Sequence, residues 1–254
     1  MTAAAQQESR DFAHLVDSSA EWAKTAAPEE ILSWAIDNFA PRLSVSCSFG
    51  NPEGLVLVDM LHRVAPGRFR VYTLDTGRLP QATYDLIDRV RDRYDVSVEA
   101  VLPDGAAVEA MVRANGMNLF YESLEKRQLC CRVRKVEPNR RYLAELDAHV
   151  TGLRKQQNVT RTGVERIELE DGGRRVKVNP LVEWSSKDVW DYVRTHGVPV
   201  NRLHAEGFPT VGCAPCTRAV RPGEDARAGR WWWELPETKE CGMHTQAEEG
   251  GSGI

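Results

Sequence analysis

The chain has 254 residues, of which 28% are charged and 42% hydrophobic, with a formal net charge of −4. That length suits one large α/β domain or two small ones around a substantial core, and the faintly acidic balance offers no basic footprint for nucleic acid. No apolar run approaches the roughly 20 residues of a membrane span, and the polar start MTAAAQQESRDFAH lacks the apolar segment of a secretory signal, so a cytoplasmic protein without a membrane partner is expected.

Residues 1–10 read as a loose tail within an N-terminal region, 1–40, of two helices. Phe12, Leu15 and Val16, then Ile31, Leu32, Ala35 and Ile36, recur at helical spacing, and Ala27-Pro28 divides them, with Pro28 opening the second helix. Leu43–Ser46 reads as a strand running into Cys47-Ser48-Phe49-Gly50-Asn51, after which Pro52 opens a helix to about Val64. A strand, a small-residue loop and a helix N-terminus can form a backbone anion site. The loop is neither a Walker A sequence nor a dinucleotide fingerprint. Arg70–Leu74 is the next strand and ends in Asp75-Thr76-Gly77, so both loops are expected on the rim where α/β sheets bind ligands. A helix from Pro80 to Tyr94, a strand over Val96–Val101 and a helix over Ala106–Ala114 continue a parallel pattern.

Cys130-Cys131-Arg132-Val133-Arg134-Lys135 is expected to begin a basic helix that runs to about Leu146. A short strand, Ala148–Thr151, leads into the polar loop from Gly152 to Arg161, whose cations Arg154, Lys155 and Arg161 point to an anionic ligand. Gly172-Gly173 between Val164–Leu169 and Arg175–Val178 suggests a hairpin. Ser185 caps a helix containing Val189, Trp190 and Val193. The stretch from Pro199 to Gly212 is loop-like and delivers Cys213 and Cys216, closing an α/β core over 41–216. A C-terminal segment, 217–246, carries Arg227, Arg230 and Cys241, and an acidic, Gly-rich tail, 247–254, is expected to be disordered.

Clustered cysteines in a cytosolic chain more often hold metal or do redox work than form disulfides. Cys130-Cys131 and Cys213-Ala-Pro-Cys216 make four thiolates, which suit a structural Zn²⁺ or a 4Fe–4S cluster. Adjacent cysteines diverge, so ligand geometry favours the larger cluster without excluding zinc. Arg134 and Lys135 lie within about a turn of the pair, close enough to offset thiolate charge. The sixth cysteine, Cys241 in Lys239-Glu240-Cys241-Gly242-Met243-His244, has two nearby cations that favour its thiolate, while Glu240 opposes them. Alone, that pattern fits a reactive thiol or a stray surface cysteine equally well.

Taken together, SCSFG (46–50 with the strand before it), LDTG (74–77), CCRVRK (130–135), GLRKQQNVTR (152–161), NPL (179–181), GCAPCTR (212–218), RAGRWWW (227–233) and KECGMH (239–244) resemble the assimilatory adenylyl-sulfate (adenosine 5′-phosphosulfate) reductases, within the wider phosphoadenylyl-sulfate reductase group. The resemblance covers roughly residues 42–244. It departs at Gly50-Asn51-Pro52-Glu53, where the family usually continues Gly-Ala-Glu, and at Met243, where Leu or Ile is usual. It implies a single α/β domain of the adenine nucleotide α-hydrolase type, with a mostly parallel sheet of five or six strands flanked by helices and a mobile C-terminal segment. One 4Fe–4S cluster is implied on Cys130, Cys131, Cys213 and Cys216, with Lys135 close to both cluster and sulfate; Cys241 is implied as nucleophile, and His244 and Lys135 as its catalytic companions. Substrate contacts are expected from Ser46, Ser48, Phe49, Gly50, Leu74, Asp75, Thr76, Gly77, Gly152, Arg154, Lys155, Arg161, Arg227 and Arg230.

The implied reaction is thioredoxin-dependent reduction of adenosine 5′-phosphosulfate to sulfite and AMP through a sulfonated Cys241. The cysteine pairs point to the unphosphorylated nucleotide, with its 3′-phosphorylated form as the alternative substrate. An ATP-dependent adenylating enzyme of the same fold is a more distant alternative, because this chain has SCSFGN where such enzymes carry SGGxDS. A nucleotide-binding sensor would tolerate loss of Cys241. Whether the chain is a monomer or a homo-oligomer is left open by the sequence.

Overall fold

The sequence alternates short apolar strands with amphipathic helices, and a computed structural model, described here for residues 11–157 and 163–235, assembles them into a layered α/β fold. Helices α1 (Ala13–Ala23) and α2 (Pro28–Phe39) precede β1 (Leu43–Ser46). Then come α3 (Pro52–Val64), β2 (Arg70–Leu74), α4 (Gln81–Tyr94), β3 (Val98–Val101) and α5 (Gly105–Asn115). The second half contains α6 (Leu124–Cys131), a π-helical turn (Arg132–Val136), α7 (Glu137–Leu143), β4 (Ala148–Val150), β5 (Ile167–Glu170), β6 (Arg175–Val178) and α8 (Ser186–His196).

The six strands lie in the order β3-β2-β1-β4-β6-β5. All neighbours are parallel except β5 and β6, which form the expected antiparallel hairpin. Strand order reverses between β1 and β4, and the crevice beyond the carboxyl ends of two such strands is where open α/β sheets take ligands. The loop after β1 and the loop after β4 both leave from this point.

The two faces of the sheet differ. Leu43 and Val45 of β1, Val71 of β2, Val150 of β4 and Val176 and Val178 of β6 are buried in the main core with Ile31 and Leu32 of α2, Leu55 and Val58 of α3 and Val189 of α8. Each such side chain contributes about 1.5–3 kcal/mol on leaving water. Around β1, β4 and β6 the opposite face is polar, while toward β3 Tyr72, Leu74 and Val101 pack with Tyr142, Leu143 and Leu146. Ser44 is in register with His149 and His149 with Lys177, while Ser46 is in register with Tyr72. α7 covers part of this face: Tyr72 Oη donates to Asn139 Oδ1 at 3.0 Å, and Tyr142 Oη bonds Ser44 Oγ at 3.2 Å. Parallel strands buried on both faces usually read as continuous apolar runs. Here LSVS and RVKV alternate instead.

One expected element starts elsewhere. The cysteine pair does not open a helix; it closes α6, which begins at Leu124 under a Ser123 cap whose side chain accepts from Lys126 N. The chain then passes through the π-turn before α7. The basic run RVRK drew the helix start toward itself, and the capping serine seven residues before Cys130 was the overlooked signal.

Candidate functional site

The switch point opens into a cavity of 770 Å³. Ser46, Ser48 and Asn51 line it from the loop after β1, and Pro52, Glu53 and Gly54 from the first turn of α3, whose positive dipole end favours an anion. Gly152 and Arg154 enter from the loop after β4, and Arg227, Arg230 and Trp231 from the C-terminal segment. That last group is brought in by a strap: Thr217 and Arg230 form an antiparallel bridge, and Trp231 N donates to Cys216 O at 3.2 Å.

The loops after β1 and β4 are locked together by one carboxylate. Glu53 Oε1 accepts from Arg154 Nε and Nη2 at 3.0 and 2.8 Å and from Gln157 Nε2 at 2.9 Å. Arg154 also donates Nη1 to the Trp184 carbonyl at 3.3 Å. Its guanidinium therefore holds the wall of the cavity in place. A Cβ at Gly152 would come within 2.6 Å of the Glu53 Cβ, so the close approach of these loops requires glycine. Lys155 instead reaches Glu183 at the surface, 2.5 Å away.

A second, apolar pocket lies alongside, lined by Cys130, Cys131, Cys213 and Cys216 together with Arg78, Arg134 and Lys135. All four thiols are buried, at 8–9% exposure. Burial pushes the Cys216 thiol up to about 12, with Cys213 adding to the shift and Lys135 and Arg230 opposing it. Burial likewise raises the Cys130 thiol against the pull of Arg134. Among the described residues no group of three or more His, Cys, Asp or Glu is arranged to hold a single metal ion. One zinc ion, with Zn–S near about 2.3 Å, would require its sulfurs to close on one point. Four buried sulfurs line one pocket with cations beside them, a donor set that suits a thiolate-ligated metal centre.

None of the expected LDTG residues lines the larger cavity. Leu74 packs with Tyr72, Val101 and Tyr142. Asp75 accepts from Tyr84 Oη and Gly77 N, both at 2.8 Å. Thr76 is fully buried with Oγ1 3.2 Å from Cys213 Sγ, and its carbonyl accepts from Arg134 Nη1 at 2.7 Å. Phe49 and Gly50 shape the loop after β1 from behind. Phe49 is buried in left-handed backbone (φ 52°), its carbonyl takes Asn201 Nδ2 at 3.1 Å, and Gly50 abuts Val211.

Arg230 reaches from the larger cavity toward the cysteine loop. It lines the larger cavity, stacks over the Trp231 ring at 4.5 Å, and lies against Gly212, next to Cys213. The structure thus brings Ser46, Ser48, Gly152, Arg154, Arg227 and Arg230 to one cavity and Lys135 to the neighbouring cysteine pocket. Arg161, Cys241 and His244 lie outside the described residues. The polar floor made by Tyr72, Asn139, His149 and Lys177 was missed. Polar alternation in strands of a buried parallel sheet could have revealed it. Cys47, by contrast, is 1% exposed and its thiol is pushed up to about 12 by burial, which disfavours its thiolate.

The model of the phosphoadenosine phosphosulfate reductase domain matches residues 42–219. An adenosine 5′-phosphosulfate reductase of Burkholderia cepacia is 52% identical over 174 residues, covering 68% of this chain and 70% of that protein. One from Allochromatium vinosum is 49% identical over 192 residues, covering 76% and 75%. The crystal structure of phosphoadenylyl-sulfate reductase from Candida auris, in a phosphate complex, superposes with a TM-score of 0.68 at 28% identity, covering 82% of this chain and 97% of that one.

Proposed function

The chain belongs to the phosphoadenosine phosphosulfate reductase family, and on that footing we propose that it reduces adenosine 5′-phosphosulfate to sulfite and AMP in sulfate assimilation. One observation carries the reading: Arg230, in the wall of a nucleotide-sized cavity at the sheet's switch point, lies against Gly212 beside the cysteine pocket and opposes the burial that raises the pKa of the Cys216 thiol. The AMP part suits the cavity at the α3 N-terminus, and the sulfate end faces Arg227 and Arg230, whose guanidinium groups pair well with phosphosulfate oxygens.

In the proposed reaction the Cys241 thiolate attacks the sulfate sulfur. The S–O bond to the phosphate breaks, AMP leaves with that oxygen, and the Sγ–S bond of a Cys241 S-sulfonate forms. A dithiol donor, thioredoxin or a protein like it, then attacks Cys241 Sγ and expels sulfite. Its second thiol resolves the mixed disulfide and regenerates the Cys241 thiolate. The dithiol supplies the two electrons that take sulfur from sulfate to sulfite. Lys239 and His244 favour the attacking thiolate. Arg227, Arg230 and Lys135 offset the repulsion between that thiolate and the anionic sulfate. A cytoplasmic, reducing compartment suits such a thiol.

Cys130, Cys131, Cys213 and Cys216 would hold a 4Fe–4S cluster, with Arg78, Arg134 and Lys135 balancing its charge. Such a cluster would tie the end of α6 to the loop carrying Cys213 and would carry no electron in this scheme. The experiment is a comparison of sulfite release from adenosine 5′-phosphosulfate and from its 3′-phosphorylated form with a dithiol donor. Higher catalytic efficiency on the unphosphorylated nucleotide is expected. A large preference for the other would reassign the substrate, and ATP cleavage without a sulfate donor would reassign the chemistry.

A further inference from the structure

The loop after β1 holds a backbone conformation that its own residues disfavour. Phe49 has a left-handed φ of 52° and is fully buried in the main core, while Ser48 before it and Asn51 beyond it line the larger cavity. A bulky side chain avoids that region, because its Cβ crowds the following carbonyl. Such residues persist where their surroundings hold them, and here the holding group is the side chain of Asn201.

Asn201 is 1% exposed and spends its whole carboxamide on the loop, on α4 and on its own turn. Nδ2 donates to the Phe49 carbonyl at 3.1 Å and to Thr83 Oγ1, in the first turn of α4, at 3.0 Å. Oδ1 accepts from Leu203 N at 3.1 Å. The partners fix which end is which, since Leu203 N only donates and the Phe49 carbonyl only accepts. Farther along, the same segment grips the loop again. Val211 N donates to Asn51 Oδ1 at 3.2 Å, and a Cβ on Gly50 would meet the Val211 carbonyl oxygen at 2.3 Å. Asn51 therefore faces this segment and leaves the start of α3 without a side-chain cap.

We propose that Asn201 is a positioning residue for the phosphate of the bound nucleotide. It touches no ligand; it keeps Phe49 left-handed, and that sets Ser48 and the first turn of α3 against the cavity where an anion binds. This role rests on the reading of the cavity as an adenosine phosphosulfate site with its phosphate at the α3 N-terminus. The competing role is a plain cap, because Asn201 also starts the short turn Arg202–Glu206.

Asn201→Asp separates the two roles. It keeps an oxygen for Leu203 N and can accept from the Thr83 hydroxyl, but it turns an acceptor toward the Phe49 carbonyl. Calorimetry on the holoenzyme compares AMP with adenosine, which lacks the phosphate, and wild-type protein should bind AMP the more tightly. Asn201→Asp should weaken AMP about tenfold and adenosine less than about twofold, the effect of losing one directed hydrogen bond. Gly50→Ala forces the same loop off Val211 and should give the same phosphate-selective loss, with the double variant no weaker than either single one. Either variant decides alone if the other fails to fold. Equal losses for AMP and adenosine, or an unchanged AMP affinity beside a lowered denaturation midpoint, would overturn the proposal. Should neither variant fold, NMR of the wild-type carboxamide decides: the Asn201 Nδ2 protons should exchange slowly with and without AMP, and fast exchange in the free protein would overturn it. Wild-type protein that binds AMP no better than adenosine would refute the phosphate site itself, and the proposal with it.

Discussion

At the scale of single residues, the cavity depends on a few close approaches. A Cβ at Gly212 would sit 2.5 Å from Arg230 Nη2, the far end of a flexible side chain. Gly212→Ala should therefore keep the fold and push the guanidinium off Trp231. A charge-assisted contact is worth about 1.5–3 kcal/mol, so kcat/KM on the phosphosulfate nucleotide should fall about ten- to hundredfold. Arg230→Ala should give the same loss, and the double variant no more than either alone; steady-state kinetics on the three proteins checks this. The polar floor makes a separate statement about acid. His149 has its pKa depressed below 6.5 by burial, and Glu170 has its own depressed from 4.5 to about 2. Both groups bind protons more readily in the unfolded chain. Their contribution is thus complete above pH 6.5, and it falls as the pH drops, first through His149 and below 4.5 through Glu170. Glu170→Gln should flatten the steep lower part of a denaturation-versus-pH curve. Of these residues, the sequence made the loop arginines legible through their motifs. It hid His149 and Lys177, because each is an isolated polar letter in a three- or four-residue strand and becomes a floor only through strand register.

At the scale of elements, the join between α6 and the π-turn determines where Cys130 and Cys131 face. π-turns inside helices often mark functional sites, and nothing in the basic run RVRK announces one. The join is braced by Arg127, whose Nε and Nη2 meet the Glu234 carboxylate at 2.8 and 2.9 Å with its guanidinium over Trp231 at 4.7 Å. Arg127 is 1% exposed, and breaking a buried pair from one side costs about 3–5 kcal/mol. Arg127→Ala should lower the denaturation midpoint accordingly and speed loss of iron to a chelator. Changing Cys130, Cys131, Cys213 or Cys216 to Ser should lose iron and tertiary structure together, since metal binding is coupled to folding. Circular dichroism beside iron and sulfide analysis checks it. Stoichiometric zinc in anaerobically purified protein would instead contradict the cluster.

At the scale of the molecule, the parallel order was legible because strand and helix periods alternate cleanly as far as β3, and the Gly172-Gly173 turn marked the antiparallel edge. The two unequal faces of the sheet were not, since they arise from pairing between segments distant in sequence. That asymmetry separates stability from chemistry: the apolar face holds the core, while the polar face and the carboxyl rim shape the cavity. On the proposed reading, this rim presents a phosphosulfate nucleotide to Cys241. Its most direct test is to incubate anaerobically purified protein with adenosine 5′-phosphosulfate and no dithiol, then locate any sulfonate by peptide mass spectrometry. AMP should be released in step with a sulfonate on Cys241, freed as sulfite when a dithiol is added and absent from Cys241→Ser. Sulfonate on Cys47, or continued sulfite release by Cys241→Ser, would contradict it.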